Sequence, residues 1–87
     1  MSGKTSLEFP NKFPIKVMGR QGSELRALTQ AIIERHAGPI EDSSVKTRTS
    51  ADGNFLALTY TVHATSREQL DELYRTLSTH PMVKVVL

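Results

Sequence analysis

Hydrophobic and polar positions alternate most regularly between Leu56 and Ala64. Leu56, Leu58, Tyr60, Val62 and Ala64 fall on one side, and Ala57, Thr59, Thr61 and His63 on the other. That period of two is the signature of a half-buried strand. Phe13 to Met18 reads the same way, with Phe13, Ile15 and Val17 on one face and Lys16 on the other; Pro14 lies near its start, where a missing N–H is tolerated. Two stretches instead follow the helical period. Leu25, Leu28, Ile32 and Ile33 predict a helix over Glu24–His36, with Ser23 as its N-cap and Gly38-Pro39 as its stop. Leu70, Leu73, Tyr74 and Leu77 stand at i, i+3, i+4 and i+7, behind two overlapping capping boxes, Thr65 with Glu68 or Ser66 with Gln69. The β-branched run Val45–Ser50, the Asp52-Gly53 turn and Met82–Leu87 after Pro81 supply the remaining strands.

The order is β-α-β-β-α-β, which predicts an α+β, ferredoxin-like domain with a four-stranded antiparallel sheet and two helices on one face. Residues 13–87 form that single domain. Residues 1–12 read as a flexible N-terminal segment, in which Phe9 is the residue able to anchor Leu7–Pro10 to the body. Two helices cover one side of the sheet and nothing is left for the other. Lys16, Thr59, Thr61, His63, Lys84 and one face of Val45–Ser50 are assigned to that open side, whose mixed, polar composition predicts solvation.

Composition narrows the function classes. At 87 residues and 38% hydrophobic, the chain supports one small core and modest stability. Eleven Lys and Arg against nine Asp and Glu give a net charge of +2, too mild to mark a nucleic-acid binder. No stretch is long and apolar enough for a membrane span or a secretory leader, so a cytoplasmic protein is expected. With no cysteine, thiolate catalysis and cysteine metal sites are excluded.

Gly19-Arg20-Gln21-Gly22-Ser23 reads first as a tight turn between strand and helix. Its second reading is a ligand site, in which the helix N-terminus, Arg20 and Lys16 attract an anion. The spacing matches neither the dinucleotide fingerprint nor a P-loop. His36, His63 and His80 lie on separate elements without metal-ligand spacing, so no metal and no cofactor are expected. Arg67, Asp71, Glu72 and Arg75 read as ion pairs on a solvated helix face. No carboxylate occupies an apolar strand context, and no catalytic residue is assigned; enzymatic activity is not expected.

An RNA-recognition module shares this element order but needs rings on its central strands, where this chain has Ala57, Thr59 and Thr61. Lys46 and Arg48 could touch phosphate, yet such charges commonly just keep an edge strand soluble. Nucleic acid is the weaker expectation for a partner. Val83–Leu87, with one charge, makes a homodimer through a sheet edge the open alternative to a monomer.

The segments Leu7-Glu8-Phe9-Pro10, Phe13 and Lys16-Val17-Met18-Gly19 resemble the YbeD-like family of small bacterial proteins. Arg35-His36-Ala37, Ala64-Thr65, Glu68-Gln69, Leu73-Tyr74 and the closing Val83, Val86 and Leu87 extend that resemblance over nearly the whole chain. It implies a ferredoxin-like fold similar to the ACT regulatory domains, which bind amino acids and control metabolic enzymes. The ACT loop after the first strand has a Pro-Gly ending, which Gly19-Arg20-Gln21-Gly22 lacks. The expected function is a small non-enzymatic regulatory or adaptor module that acts by protein contact, with room for a metabolite at Lys16 and Gly19–Ser23. The alternatives are a weak RNA-binding module and a homodimeric small-ligand sensor.

Overall fold

A computed structural model describes residues 9–87. In chain order it has β1 (Asn11–Arg20), α1 (Ser23–Ala37), a short 3-10 turn (Asp42–Ser44), β2 (Lys46–Thr49), β3 (Phe55–Ala64), α2 (Arg67–Ser78) and β4 (Val83–Val86). The sheet runs β2-β3-β1-β4 and every neighbouring pair is antiparallel. This is the ferredoxin-like arrangement expected from the pattern.

The alternation of β3 sets the layer. Leu56, Leu58, Tyr60, Val62 and Ala64 are buried, and their partners Val17 and Ile15 on β1 are buried opposite Leu58 and Tyr60. From α2, Leu70, Leu73 and Leu77 complete the core. Full burial of such side chains is worth about 1.5–3 kcal/mol each. Phe9 and Phe13 pack at its margin with ring centroids 5.3 Å apart. Leu7 and Glu8, the start of the expected anchor segment, lie outside the described residues.

Pro14 sits in the middle of a sheet on an interior strand, a position that would ordinarily lose a ladder bond. Lys16 exchanges both backbone bonds with Leu87, at 3.1 and 2.8 Å, so even-numbered β1 residues point their N–H toward β4. Pairing with β4 begins only at Lys16, so the donor that Pro14 lacks would face no strand.

Helix α1 departs from the expected stripe. Leu25 and Ile33 are buried, but Leu28 and Ile32 are only half-buried, and the fully buried residue between them is Thr29. The hydroxyl of Thr29 donates to Leu25 O (2.8 Å) or shares a 2.7 Å bond with the Tyr60 hydroxyl. A buried polar group is thereby satisfied, which the apolar spacing alone could not reveal. Ser23 is the first helical residue and not the cap; Gly22 occupies the cap position, without a side chain to bond. At the other end Gly38 takes φ 89°, a left-handed value suited to glycine, and donates to Glu34 O at 3.0 Å.

Of the two capping boxes, Ser66 is the cap. Its Oγ accepts from the Gln69 N–H at 3.1 Å. The Gln69 carboxamide oxygen accepts from the Thr65 N–H and hydroxyl, while its Nε2 donates to His36 O at 2.6 Å. One glutamine therefore closes the N-terminus of α2 and ties it to the C-terminal turn of α1.

Candidate functional site

The alternation that buries Ile15 and Val17 turns Lys12, Lys16 and Arg20 outward on the face without helices. On β2, Lys46 and Arg48 pair with Thr59 and Ala57 and share that side. Two rows cross the sheet: Arg48, Ala57, Met18 and Val85, then Lys46, Thr59, Lys16 and Leu87. Thr61 and His63 continue the same face along β3, opposite Pro14 and Lys12. The open side is thus where the pattern placed it. It is less uniformly polar than expected, because Met18, Phe55 and Ala57 are half-exposed there. The exposed large apolar residues, Met82 (38%), Val85 (42%) and Leu87 (64%), all belong to the β4 segment.

Charge is sorted by layer. The strands carry six cations, Lys12, Lys16, Arg20, Lys46, Arg48 and Lys84, and no carboxylate. Every carboxylate among the described residues lies on a helix, the 3-10 turn or a loop. Helix and loop charges partly neutralise one another. Arg26 meets Asp42 at 3.3 Å, Arg67 meets Asp71 at 3.9 Å and Arg75 meets Glu72 at 2.8 Å. Among the described residues none of the ion pairs includes a strand cation. The net charge of +2 is therefore the sum of a strongly basic sheet and an acidic remainder.

Three hollows border this face, one of them, of about 230 Å³, where Lys12, Thr61 and His63 meet Pro39, Ile40 and Glu41. A second, of about 230 Å³, is lined by Lys16, Met18, Arg48, Phe55 and Ala57 together with the end of β2. The third, of about 310 Å³, lies at the end of the sheet between Arg20, Pro81, Met82 and Lys84. Lys84 stands where the β1–β4 register shifts between Met18 and Gly19, so its backbone is the extra residue of a bulge.

The residues assigned to a ligand loop divide between different surroundings. Gly19 and Arg20 are the last residues of β1, not a loop. Gly19 is buried: a Cβ there would stand 2.5 Å from Met82 O and 2.9 Å from Leu25 Cδ1, so close packing of strand against helix accounts for the glycine. Gln21 is exposed and its N–H donates to Asn54 O at 2.9 Å, tying the bend to the β2–β3 hairpin. Gly22 is extended backbone at the helix start, and Ser23 opens α1. Lys16 lies four residues from Arg20, roughly 13 Å along the strand. It lines the hollow shared with Arg48 instead of the bend. The structure brings Lys16 together with Met18 and Arg48, and it separates Lys16 from Gly22 and Ser23.

Elsewhere the chemistry is structural. Burial raises the pKa of the Tyr60 hydroxyl above 10.0, against a smaller opposing effect of the Thr29 bond. Hydrogen bonds from the Ser50 hydroxyl and then the Asn54 amide lower the pKa of Asp52 below 3.8 and fasten the hairpin turn. His36 bonds Ile32 O through Nδ1 at 3.0 Å, while His63 lies on the open face and His80 before β4. No helix among the described residues is long and apolar enough to cross a membrane.

Comparison with known proteins places this geometry in a family. Residues 4–87 match a family described as a protein of unknown function, DUF493. The chain is 52% identical over 82 residues to a UPF0250 protein of Bordetella pertussis, which covers 93% of this chain and 89% of that protein. It is 50% identical over 80 residues to a UPF0250 protein of Paraburkholderia phytofirmans, covering 92% and 90%. UPF0250 is the group of the YbeD-like proteins, in agreement with the sequence resemblance. Among solved structures, the C-terminal domain of the MgtC protein from Mycobacterium tuberculosis superposes with a TM-score of 0.63 over 95% of this chain and 89% of that one. At 17% identity that likeness concerns the fold alone.

Proposed function

The chain belongs to the DUF493 family, and we propose that it is a small non-catalytic adaptor or regulatory module that works by protein contact through the open face of its sheet. One observation carries the reading: a whole sheet face is left uncovered, and Met18 and Val85 on it are flanked by cations outside the ion pairs of the helix layer. Arg and Met are residue types enriched where protein surfaces meet. Shallow hollows of a few hundred Å³ suit side chains of a partner better than an enclosed small-molecule site.

The test is site-specific photo-crosslinking in living cells. A photoreactive side chain at Met18 is compared with one at Asp71 on α2, with nuclease treatment before mass spectrometry. A discrete protein adduct from Met18 and none from Asp71 is expected. Adducts that vanish with nuclease, or that form equally from Asp71, would sink the reading.

A further inference from the structure

We infer that the surface received by the open sheet face is an acidic polypeptide segment bearing apolar side chains; this rests on the protein-contact reading above. The carboxylates of that segment meet Lys16, Lys46 and Arg48, and its apolar side chains meet Met18 and Val85. Three observations carry the assignment.

The first is the sign of the charge. The strands carry six cations and no carboxylate, and the carboxylate bordering the face, Glu41, lies at its Lys12 end beside Thr61 and His63, so around Lys16, Lys46 and Arg48 a partner of opposite sign is both steered and held. The second is the distribution within the face. In the two rows that cross the sheet, the β2 end is cationic (Lys46 and Arg48) and the β4 end apolar (Val85 and Leu87), while β1 between them contributes one of each, Lys16 and Met18. Lys16 and Arg48 border the hollow that Met18 and Ala57 floor, so a carboxylate and an apolar group can be accepted side by side. Along the strands the cations recur at two residues (Lys46 and Arg48) and at four residues (Lys12, Lys16 and Arg20), roughly 7 and 13 Å. Those are repeat distances of an extended chain with carboxylates on every second or fourth residue.

The third observation removes competing occupants. A second copy docked face to face would bring the same strand cations against themselves, which like-charge pairs across an interface oppose. A single-stranded nucleic acid gains its affinity by stacking bases on aromatic rings, at about 1–3 kcal/mol per base. The central positions of this face are Lys16, Met18, Ala57, Thr59 and Thr61, and Phe55 stands at its end. Cations without stacking rings fit carboxylates.

The experiment is a titration of the isotopically labelled protein, followed by its backbone amide shifts and by fluorescence anisotropy. The probes are a peptide of repeating glutamate-serine-leucine-serine, which when extended presents carboxylates at every fourth residue with leucines between them on one face, its glutamine analogue, and a uridine oligomer of equal length. The expected result is binding of the glutamate peptide with shifts concentrated at Lys16, Met18, Arg48, Ala57 and Val85. Affinity should fall steeply as salt rises from about 0.05 to about 0.2 M. The double variant Lys16→Glu/Arg48→Glu should bind roughly tenfold more weakly, as loss of two exposed ion pairs implies. Arg67→Glu/Arg75→Glu on α2, with the same change in net charge, should bind as the parent does. Circular dichroism confirms that each variant is folded.

Equal binding of the glutamine peptide at the same amides would overturn the acidic assignment while leaving protein contact intact. Equal weakening by the α2 variant would overturn it too, because the attraction would then be to overall charge. Tighter binding of the uridine oligomer on this face, or no peptide-induced shifts there at all, would overturn both readings together.

Discussion

Gly19 separates two accounts of the segment that ends β1. If the glycine exists for packing, Gly19→Ala should destabilise the fold whether or not a ligand is present. The added Cβ would stand 2.5 Å from Met82 O and 2.9 Å from Leu25 Cδ1. A comfortable carbon–oxygen contact needs about 3.3 Å, so one side must yield by roughly 0.8 Å. Leu25 can shift a terminal methyl, but Met82 O belongs to the backbone leading into β4, and its retreat would strain the β1–β4 pairing. Overpacking of this kind costs about 1–3 kcal/mol. Alanine's advantage over glycine in a strand interior offsets about 0.5–1 kcal/mol of that. The net expectation is a loss of roughly 1–2 kcal/mol. In a domain of this size it lowers Tm by about 5–15 °C. Thermal melting followed by circular dichroism measures it, and amide shifts at Leu25, Met82 and Val83 locate the strain. Unlike relief of a single side-chain clash, the defect should persist when Leu25 is shortened to Val in the same chain. A Gly19→Ala protein that melts at or above the parent's temperature would show that this close approach does not constrain the residue.

Other consequences follow from named contacts. Ser66→Ala removes the cap of α2 and should cost about 1 kcal/mol in urea unfolding; an unchanged midpoint would mean that Gln69 alone secures the helix start. Tyr60→Phe removes the bond to Thr29 and should cost about 1 kcal/mol near neutral pH. Burial keeps the Tyr60 proton on in the folded chain, whereas the unfolded chain releases it near pH 10. The parent should therefore lose stability as pH rises past 10 toward the folded-state value, and Tyr60→Phe should lose less; parallel curves would contradict this. Asp52 is held ionised by Ser50 and Asn54, so its support of the hairpin is present above its ordinary value of 3.8. That support should fade only as pH falls below 3.8, seen as amide shifts at Gly53 to Phe55 that Asp52→Asn abolishes; an inflection at higher pH would refute it.

The parts of this fold legible in the sequence are those whose partners are local or periodic. The alternation of β3, the leucine stripe of α2 and the Ser66–Gln69 cap depend on neighbours within a few residues, and each is where the pattern put it. Thr29 was hidden because its justification, the hydroxyl of Tyr60, lies thirty-one residues away. Gly19 was misplaced for a similar reason: a glycine beside Arg20, Gln21 and Gly22 looks like a turn, and only the approach of Met82 shows it to be a strand residue in tight contact. The basic face was within reach. Lys12, Lys16 and Arg20 are spaced by four on β1 and Lys46 and Arg48 by two on β2, so alternation alone puts each group on one side. Judging charge by its total of +2 concealed that sorting. The bulge at Lys84 leaves no periodic trace, and nothing local distinguishes Val85 as exposed from Val83 as buried.

The two edges of the sheet are blunted by different means, and this bears on how the molecule meets others. On β2 every residue is exposed and cations alternate with threonines, so a strand added there would face Lys46 and Arg48. The edge at β4 carries most of the exposed apolar surface, yet it is four residues long and interrupted in register opposite Met18 and Gly19. A short, bulged edge offers few consecutive backbone groups to an incoming strand. Self-pairing through that edge, the sequence-derived route to a homodimer, would rest on few ladder bonds, and self-pairing through the face meets its own cations. The exposed apolar side chains Met82, Val85 and Leu87 are on the proposed reading available to a surface of opposite charge. On the proposed reading, the segregation of charge by layer works in two directions: it opposes face-to-face pairing of two copies and favours an acidic partner over the face that the helices leave bare.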